Sequence, residues 1–129
     1  MLGADGAILG YTLANDVSAW DIERDNPLYL PQSKVYNGCC ALGPVVVPAQ
    51  NVDARNLPIR LTITRNGETA FHGKTSTAKM RRTVEELRDW LFRENDFPHG
   101  VMLLTGTGLI PPEDFTLQPG DIVSIEIEG

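Results

Sequence analysis

The sequence predicts an α+β fold that is predominantly β, with a mixed sheet or sandwich and one main amphipathic helix. Apolar and polar residues alternate over several short segments bounded by turn residues, which is the pattern of half-buried strands. Only the segment near residue 90 shows a helical apolar spacing behind a capping motif. The 129 residues, 42% of them hydrophobic, suit a single domain around one core.

The N-terminal third begins with a turn. Asp5-Gly6 is a strong hairpin-turn signal, and the segment 7–14 after it predicts a strand. Only Met1 and Leu2 are available to begin the arm before this turn, so we expect the partner strand to be cut off. Residues 17–25 fit a short helix, and residues 26–34, which contain two prolines, fit an ordered loop.

Residues 59–72 carry the clearest hairpin signal. Ile59, Leu61 and Ile63 alternate with polar residues, and Asn66-Gly67 suits a type I′ turn. Further along, Thr83 and Glu86 form a capping box that opens a helix ending near Asn95. The apolar stripe of that helix consists of Val84, Leu87, Trp90 and Leu91.

The C-terminal segment predicts two more strands. Residues 101–104 fit a short buried strand, and Pro119-Gly120-Asp121 fits a turn. Residues 122–128 then form a strand in which Val123, Ile125 and Ile127 share one face.

The charge of the chain excludes some partners. A net charge of −6 repels nucleic acid and anionic membranes. No stretch approaches the roughly 20 apolar residues of a membrane span. We therefore expect a cytoplasmic protein whose partner is a small molecule or another subunit. Cys39 and Cys40 are adjacent, and we expect two small buried thiols.

Two residues could carry chemistry near the start of the chain. Asp16 ends an apolar strand, where its carboxylate either holds a hard cation such as Mg²⁺ or caps the helix predicted at 17–25. Lys34 follows a rigid loop that could fix its ammonium over an anionic oxygen, although most lysines are solvated surface charges.

Two further segments have an anion-binding and an ordinary interpretation. The segment 105–108, Thr-Gly-Thr-Gly, could hold a carboxylate through backbone amides and hydroxyls, or be a simple glycine-rich turn. Lys79, Arg81 and Arg82 could neutralise an acidic substrate, or form a solvated face.

Taken in order, these segments resemble the fumarylacetoacetate hydrolase family. Residues 10–19, Gly-Tyr-Thr-Leu-Ala-Asn-Asp-Val-Ser-Ala, followed by Asp21, are similar to its central signature. The later landmarks also match in order: Gly43-Pro44, Asn66-Gly67, Leu104-Thr105-Gly106-Thr107 and Pro119-Gly120-Asp121. Within the family, segments 26–34, 38–41 and 79–82 are most similar to the 2-keto-3-deoxy-D-arabinonate dehydratase branch.

The resemblance implies a fold, a cofactor and a reaction. Residues 1–129 would be one partial C-terminal catalytic domain, a mixed β-sandwich or roll, in a homodimer or higher homo-oligomer. Asp16 would bind Mg²⁺, with Mn²⁺ and Ca²⁺ as alternatives. Lys34 would be the catalytic residue beside the substrate's oxygen atoms, and Thr107 would contact the substrate carboxylate. The implied reaction is dehydration of a 2-keto-3-deoxy sugar acid through a metal-bound enolate.

Two departures from the family pattern qualify this expectation. Trp20 stands where the family has arginine, so a cationic substrate contact is missing or replaced. The family's Glu-x-Glu metal ligands belong on a strand before the Asp5-Gly6 turn, so we expect an N-terminally truncated fragment. The alternatives are a C–C hydrolase, decarboxylase or isomerase acting on an acylpyruvate or fumarylacetoacetate-like substrate, or an incomplete fragment that serves only as a binding or oligomerisation module.

Overall fold

A computed structural model describes residues 1–127 of the chain, which fall into two compact units. The larger unit contains residues 1–11 and the chain from residue 47 onward, and the smaller unit contains residues 12–46. Short helices and antiparallel strands confirm the predicted α+β class. Within the described part, every strand pairing is antiparallel.

The elements of the fold are short. In chain order they are β1 (Gly10–Tyr11), β2 (Ala14–Asp16), α1 (Trp20–Asp25), the 3₁₀ turns Pro27–Tyr29 and Gln32–Lys34, β3 (Cys40–Leu42), β4 (Val47–Pro48), the 3₁₀ turn Ala49–Asn51, β5 (Pro58–Arg65), β6 (Glu68–Ser76), the 3₁₀ turn Thr77–Lys79, α2 (Val84–Leu91) and β7 (Ile122–Ile127). No helix among these residues is long and apolar enough to cross a bilayer.

The main sheet of the larger unit has the strand order β6-β5-β7. Asn66 and Gly67 have φ values of 53° and 83°, as a type I′ turn requires, so the predicted hairpin is confirmed. Leu61 and Ile63 of the central strand are buried. On β7 the alternate residues Val123, Ile125 and Ile127 are half-buried, as predicted, while Glu128 lies outside the described residues.

Helix α2 has the predicted capping box. The Thr83 hydroxyl accepts from the Glu86 amide at 3.1 Å, and the Glu86 carboxylate accepts from the Thr83 amide at 2.7 Å. The helix ends at Leu91 rather than near Asn95, because Glu94 turns into the left-handed region with a φ of 56°.

The predicted apolar stripe of α2 is wrong at one position. Trp90 is 61% exposed, whereas Val84, Leu87 and Leu91 are half-buried. At about 100° per residue, Trp90 lies roughly 120° around the helix from Val84, away from the stripe. The Arg93 guanidinium stacks on its ring at 4.1 Å from the centroid.

The strand predicted at 7–14 is interrupted. Ile8 forms only an isolated bridge with Leu2, while β1 pairs with β4 in the larger unit and β2 pairs with β3 in the smaller one. A change of partner at residues 12–13 thus divides one apolar segment into separate ladders.

The strand predicted at 101–104 is reduced to one bridge. Val101 pairs with the buried Leu2, and the two residues exchange amide–carbonyl bonds of 2.8 and 3.0 Å. Gly100 before it has a φ of 75°, and a Cβ there would lie 2.5 Å from the Leu2 carbonyl oxygen. Backbone proximity therefore explains glycine at this position.

The smaller unit is organised around the β2–β3 ladder, in which Asp16 is opposite Cys40. The helix predicted at 17–25 begins at Trp20, and the loop predicted at 26–34 is ordered by two 3₁₀ turns. Both cysteines are free, but Cys40 is exposed, so the expectation of two buried thiols is wrong. The ladder consists of two strands, and all three residues of β3 are exposed.

Candidate active site

The smaller unit brings two of the predicted site residues together. The Lys34 ammonium lies 2.8 Å from Asp16 Oδ2 and 2.6 Å from Ser18 Oγ. The side chains of Lys34 and Asp16 are 33% and 38% exposed, so both can reach a bound molecule. We call Asp16, Ser18 and Lys34 the Lys34 cluster.

Both sides of the cluster are fixed beside the start of β3. Asp16 ends β2, and the next amide, that of Val17, donates to the Cys39 carbonyl at 2.7 Å. Lys34 ends a 3₁₀ turn, where its amide donates to Pro31 at 3.3 Å and its carbonyl accepts from the Cys39 thiol at 3.0 Å. Cys39 therefore bonds to Val17, which follows Asp16, and to Lys34 itself.

Asp16 does not cap a helix. Helix α1 begins at Trp20 with Ala19 as its N-cap residue and has no side-chain cap hydrogen bond. The capping interpretation of Asp16 is therefore wrong, and its described partner is the Lys34 ammonium.

Trp20 holds a cation near the position where the family pattern has arginine. The Arg24 guanidinium lies 4.6 Å from the centroid of the Trp20 ring, one helical turn along α1. A positive charge is thus present on this helix although position 20 itself is neutral.

The Lys34 cluster suits the recognition of an anionic oxygen. An ammonium group has three N–H donors, and Asp16 and Ser18 accept two of them, so one remains for an oxygen of a bound molecule. A charge-assisted hydrogen bond of this kind is about twice as strong as a neutral one.

The cluster fits part of a magnesium site. The Asp16 carboxylate is the type of oxygen donor that Mg²⁺ prefers. Residues 1–127, however, contain no group of three or more His, Cys, Asp or Glu side chains that could hold a metal ion. The described chain therefore supplies one suitable ligand rather than a complete set.

Thr107 belongs to the larger unit, in an exposed turn. Its hydroxyl accepts from the Leu109 amide at 3.0 Å and lies 3.3 Å from the Leu109 carbonyl oxygen, and Gly106 before it has a φ of 83°. The hydroxyl thus orders its own loop. The basic residues Lys79, Arg81 and Arg82 are exposed.

Sequence reasoning did not single out Ser18 or Ser33. Ser18 was recognisable, because a residue two positions after Asp16 projects to the same side of an extended chain. Ser33 is completely buried, and no local pattern in the sequence indicated that.

The fold, the Lys34 cluster and the order of the sequence motifs together point to an enzyme family. Residues 3–129 match the family model described as fumarylacetoacetate (FAA) hydrolase C-terminal, and the chain belongs to the fumarylacetoacetate hydrolase family. The resemblance predicted from the sequence is therefore confirmed.

Two relatives indicate the branch of the family to which the chain is similar. The chain is 49% identical to the 2-dehydro-3-deoxy-D-arabinonate dehydratase of Saccharolobus solfataricus, over all of the chain and 44% of the relative. It is 48% identical to a probable 2-keto-3-deoxyxylonate dehydratase of Haloferax volcanii, over 96% of the chain and 43% of the relative. Both relatives are named as dehydratases, and dehydratases are the branch of the family that the sequence predicts.

A solved structure shows the same fold. The 2-keto-3-deoxy-D-arabinonate dehydratase complexed with magnesium and 2,5-dioxopentanoate superposes with a TM-score of 0.94 at 50% identity, over 98% of this chain and 45% of that one. The chain thus spans less than half the length of these relatives.

Proposed function

We propose that the chain carries part of the active site of a Mg²⁺-dependent enzyme that dehydrates a 2-keto-3-deoxy sugar acid. One observation carries the proposal: a lysine ammonium is held beside a carboxylate and a hydroxyl in a chain about half identical to named dehydratases. As the family resemblance implies, we also propose a cytoplasmic homodimer or higher homo-oligomer.

Lys34 is the proposed catalytic residue. Removal of the C3 proton of a 2-keto acid places negative charge on the C2 oxygen, and the free N–H of Lys34 would donate to that oxygen. Such a donor is most valuable when the charge develops, so it acts chiefly on the transition state. Departure of the C4 hydroxyl together with a proton then completes the elimination of water.

Asp16 is the proposed metal ligand and Thr107 the proposed contact for the substrate carboxylate. When bound, Mg²⁺ would act as a Lewis acid that makes the C3 proton more acidic. Asp16 would contribute one oxygen ligand, with the others supplied from outside the described residues. The Thr107 hydroxyl, held by the Leu109 amide, would donate its proton to an oxygen of the substrate in place of the Leu109 carbonyl.

A chimera tests this proposal. The chain would replace the matching 44% of the Saccharolobus solfataricus dehydratase, and dehydration of 2-keto-3-deoxy-D-arabinonate would be followed with and without Mg²⁺. We expect Mg²⁺-dependent turnover. Lys34→Met should lower kcat about 10²- to 10³-fold, the usual effect of deleting one oxyanion donor. Lys74→Met, which changes an exposed lysine on β6, is the matched control.

Two results would contradict parts of the proposal. A folded chimera that ignores these sugar acids but cleaves an acylpyruvate would overturn the dehydratase assignment. Full activity in Lys34→Met would show that Lys34 does not stabilise the enolate.

A further inference from the structure

We infer that Ser33 is a positioning residue that sets the place of the Lys34 ammonium. The inference rests on the role proposed for Lys34. Ser33 directly precedes Lys34 in the chain. Its exposure is 0%, and among residues 1–127 it is the one polar residue that is buried. A buried hydroxyl is costly unless it is hydrogen-bonded, so its partners indicate what it holds together.

The Ser33 hydroxyl joins the 3₁₀ turn that carries Lys34 to the preceding turn and to helix α1. It donates to the Leu30 carbonyl at 2.8 Å and lies 3.3 Å from Glu23 Oε2. Since a hydroxyl has one proton, the shorter bond to Leu30 is the stronger, and the Glu23 contact is secondary.

The Ser33 backbone makes a third connection. Its carbonyl accepts from the Ala19 amide at 2.8 Å, and Ala19 directly follows Ser18. The residue before Lys34 is therefore bonded to the residue after Ser18, whose hydroxyl accepts from the Lys34 ammonium. These hydrogen bonds close a small ring of contacts, and the ring fixes the distance between the Lys34 backbone and the acceptors of its side chain.

Removal of the Ser33 hydroxyl should loosen this ring of contacts, although the hydroxyl does not itself contact the Lys34 ammonium. The Leu30 carbonyl would lose its donor, and the turn that carries Lys34 would lose its contact with Glu23. A catalytic group displaced by about 1 Å can lose roughly 10²-fold in rate. A purely structural serine would instead lower stability and leave the geometry of Lys34 unchanged.

A spectroscopic experiment tests the inference on the chain itself. The ¹⁵N NH₃⁺ signals of lysines become visible when hydrogen bonds slow their exchange with water, and we expect a Lys34 signal. Ser33→Ala should broaden or abolish that signal, whereas Ser124→Ala, an exposed serine on β7, should not. If Ser33→Ala does not fold, Ser33→Cys replaces the hydroxyl with a larger thiol that is a weaker donor, and it should weaken the signal partially. An unchanged Lys34 signal in a folded Ser33 variant would overturn the inference.

A kinetic cycle in the chimera separates positioning from general destabilisation. Ser33→Ala should lower kcat by about 10- to 100-fold with a smaller change in KM. Added to Lys34→Met, it should lower kcat no further, because the positioned group is already gone. Independent, multiplicative losses would overturn the inference. An inactive chimera would contradict the proposed function, and the spectroscopic result would still decide the role of Ser33.

Discussion

Ile63→Ala should remove a large part of the stability of the larger unit. Ile63 lies in the central strand β5 and is 3% exposed, and its neighbours in register are Phe71 on β6 and Val123 on β7. The substitution deletes three buried carbon groups, worth about 2.4 kcal/mol of transfer free energy at ~0.8 kcal/mol each. The cavity left behind raises the expected loss to about 2–5 kcal/mol.

Urea denaturation followed by circular dichroism measures this loss, and two variants calibrate it. Ile63→Val removes one group and should cost about 0.5–1.5 kcal/mol. Ile122→Ala makes the same change on β7 at a side chain that is 68% exposed, and should cost less than about 1 kcal/mol. Equal losses for Ile63→Ala and Ile122→Ala would refute the argument that burial in the β6-β5-β7 sheet sets the free energy of unfolding.

The remaining predictions concern metal binding, acid stability and helix capping. Calorimetry of the isolated chain should show little heat at millimolar Mg²⁺, and tight stoichiometric binding that disappears in Asp16→Asn would contradict this. Hydrogen bonds from Arg65 lower the pKa of Asp121 from 3.8 to about 2. Its stabilising effect is therefore complete above about pH 5 and declines as the pH falls through 3.8 toward 2, so the stability difference between the wild type and Asp121→Asn should shrink over that range. Thr83→Ala should cost about 1 kcal/mol in thermal unfolding, because the bond to the Glu86 amide is lost, and an unchanged Tm would disprove the cap's contribution.

Elements coded by neighbouring residues could be predicted from the sequence. The hairpin depends on alternation and on Asn66-Gly67, and the start of α2 depends on Thr83 and Glu86, which lie three positions apart. The family followed from the order of its motifs. The hairpin signal, the capping signal and each separate motif lie within short segments, so the rest of the fold is not needed to interpret them.

Features set by distant partners could not be predicted. The segment 7–14 is mostly apolar, but its division depends on β3 and β4, more than 25 residues away in the chain. Val101 finds its partner in Leu2, and Cys40 is exposed because β3 lies in a two-stranded ladder. Apolar composition indicates that a segment can be buried, and only the tertiary pairing decides whether it is.

The site shows the same division between local and distant determinants. The sequence places Asp16 at a strand end and Lys34 after a rigid loop, but their meeting depends on the bonds of Val17 and Lys34 with Cys39. The burial of Ser33 depends on α1 and on the preceding turn. The types of residue in the site were therefore predictable, whereas the contacts that hold them were not.

The exposure of the Asp16–Lys34 pair bears directly on the proposed chemistry. An ion pair about one-third exposed on each side stabilises a protein by only about 0–1 kcal/mol. Since so little is lost when the pair opens, Lys34 can turn its ammonium toward a substrate oxygen and Asp16 can turn its carboxylate toward a cation. A deeply buried pair would resist this exchange, because separating it would leave uncompensated charges in the interior. In the proposed enzyme, the partial exposure of the pair lets Lys34 reach a substrate oxygen and Asp16 reach a cation, and Ser33 holds the turn that carries Lys34.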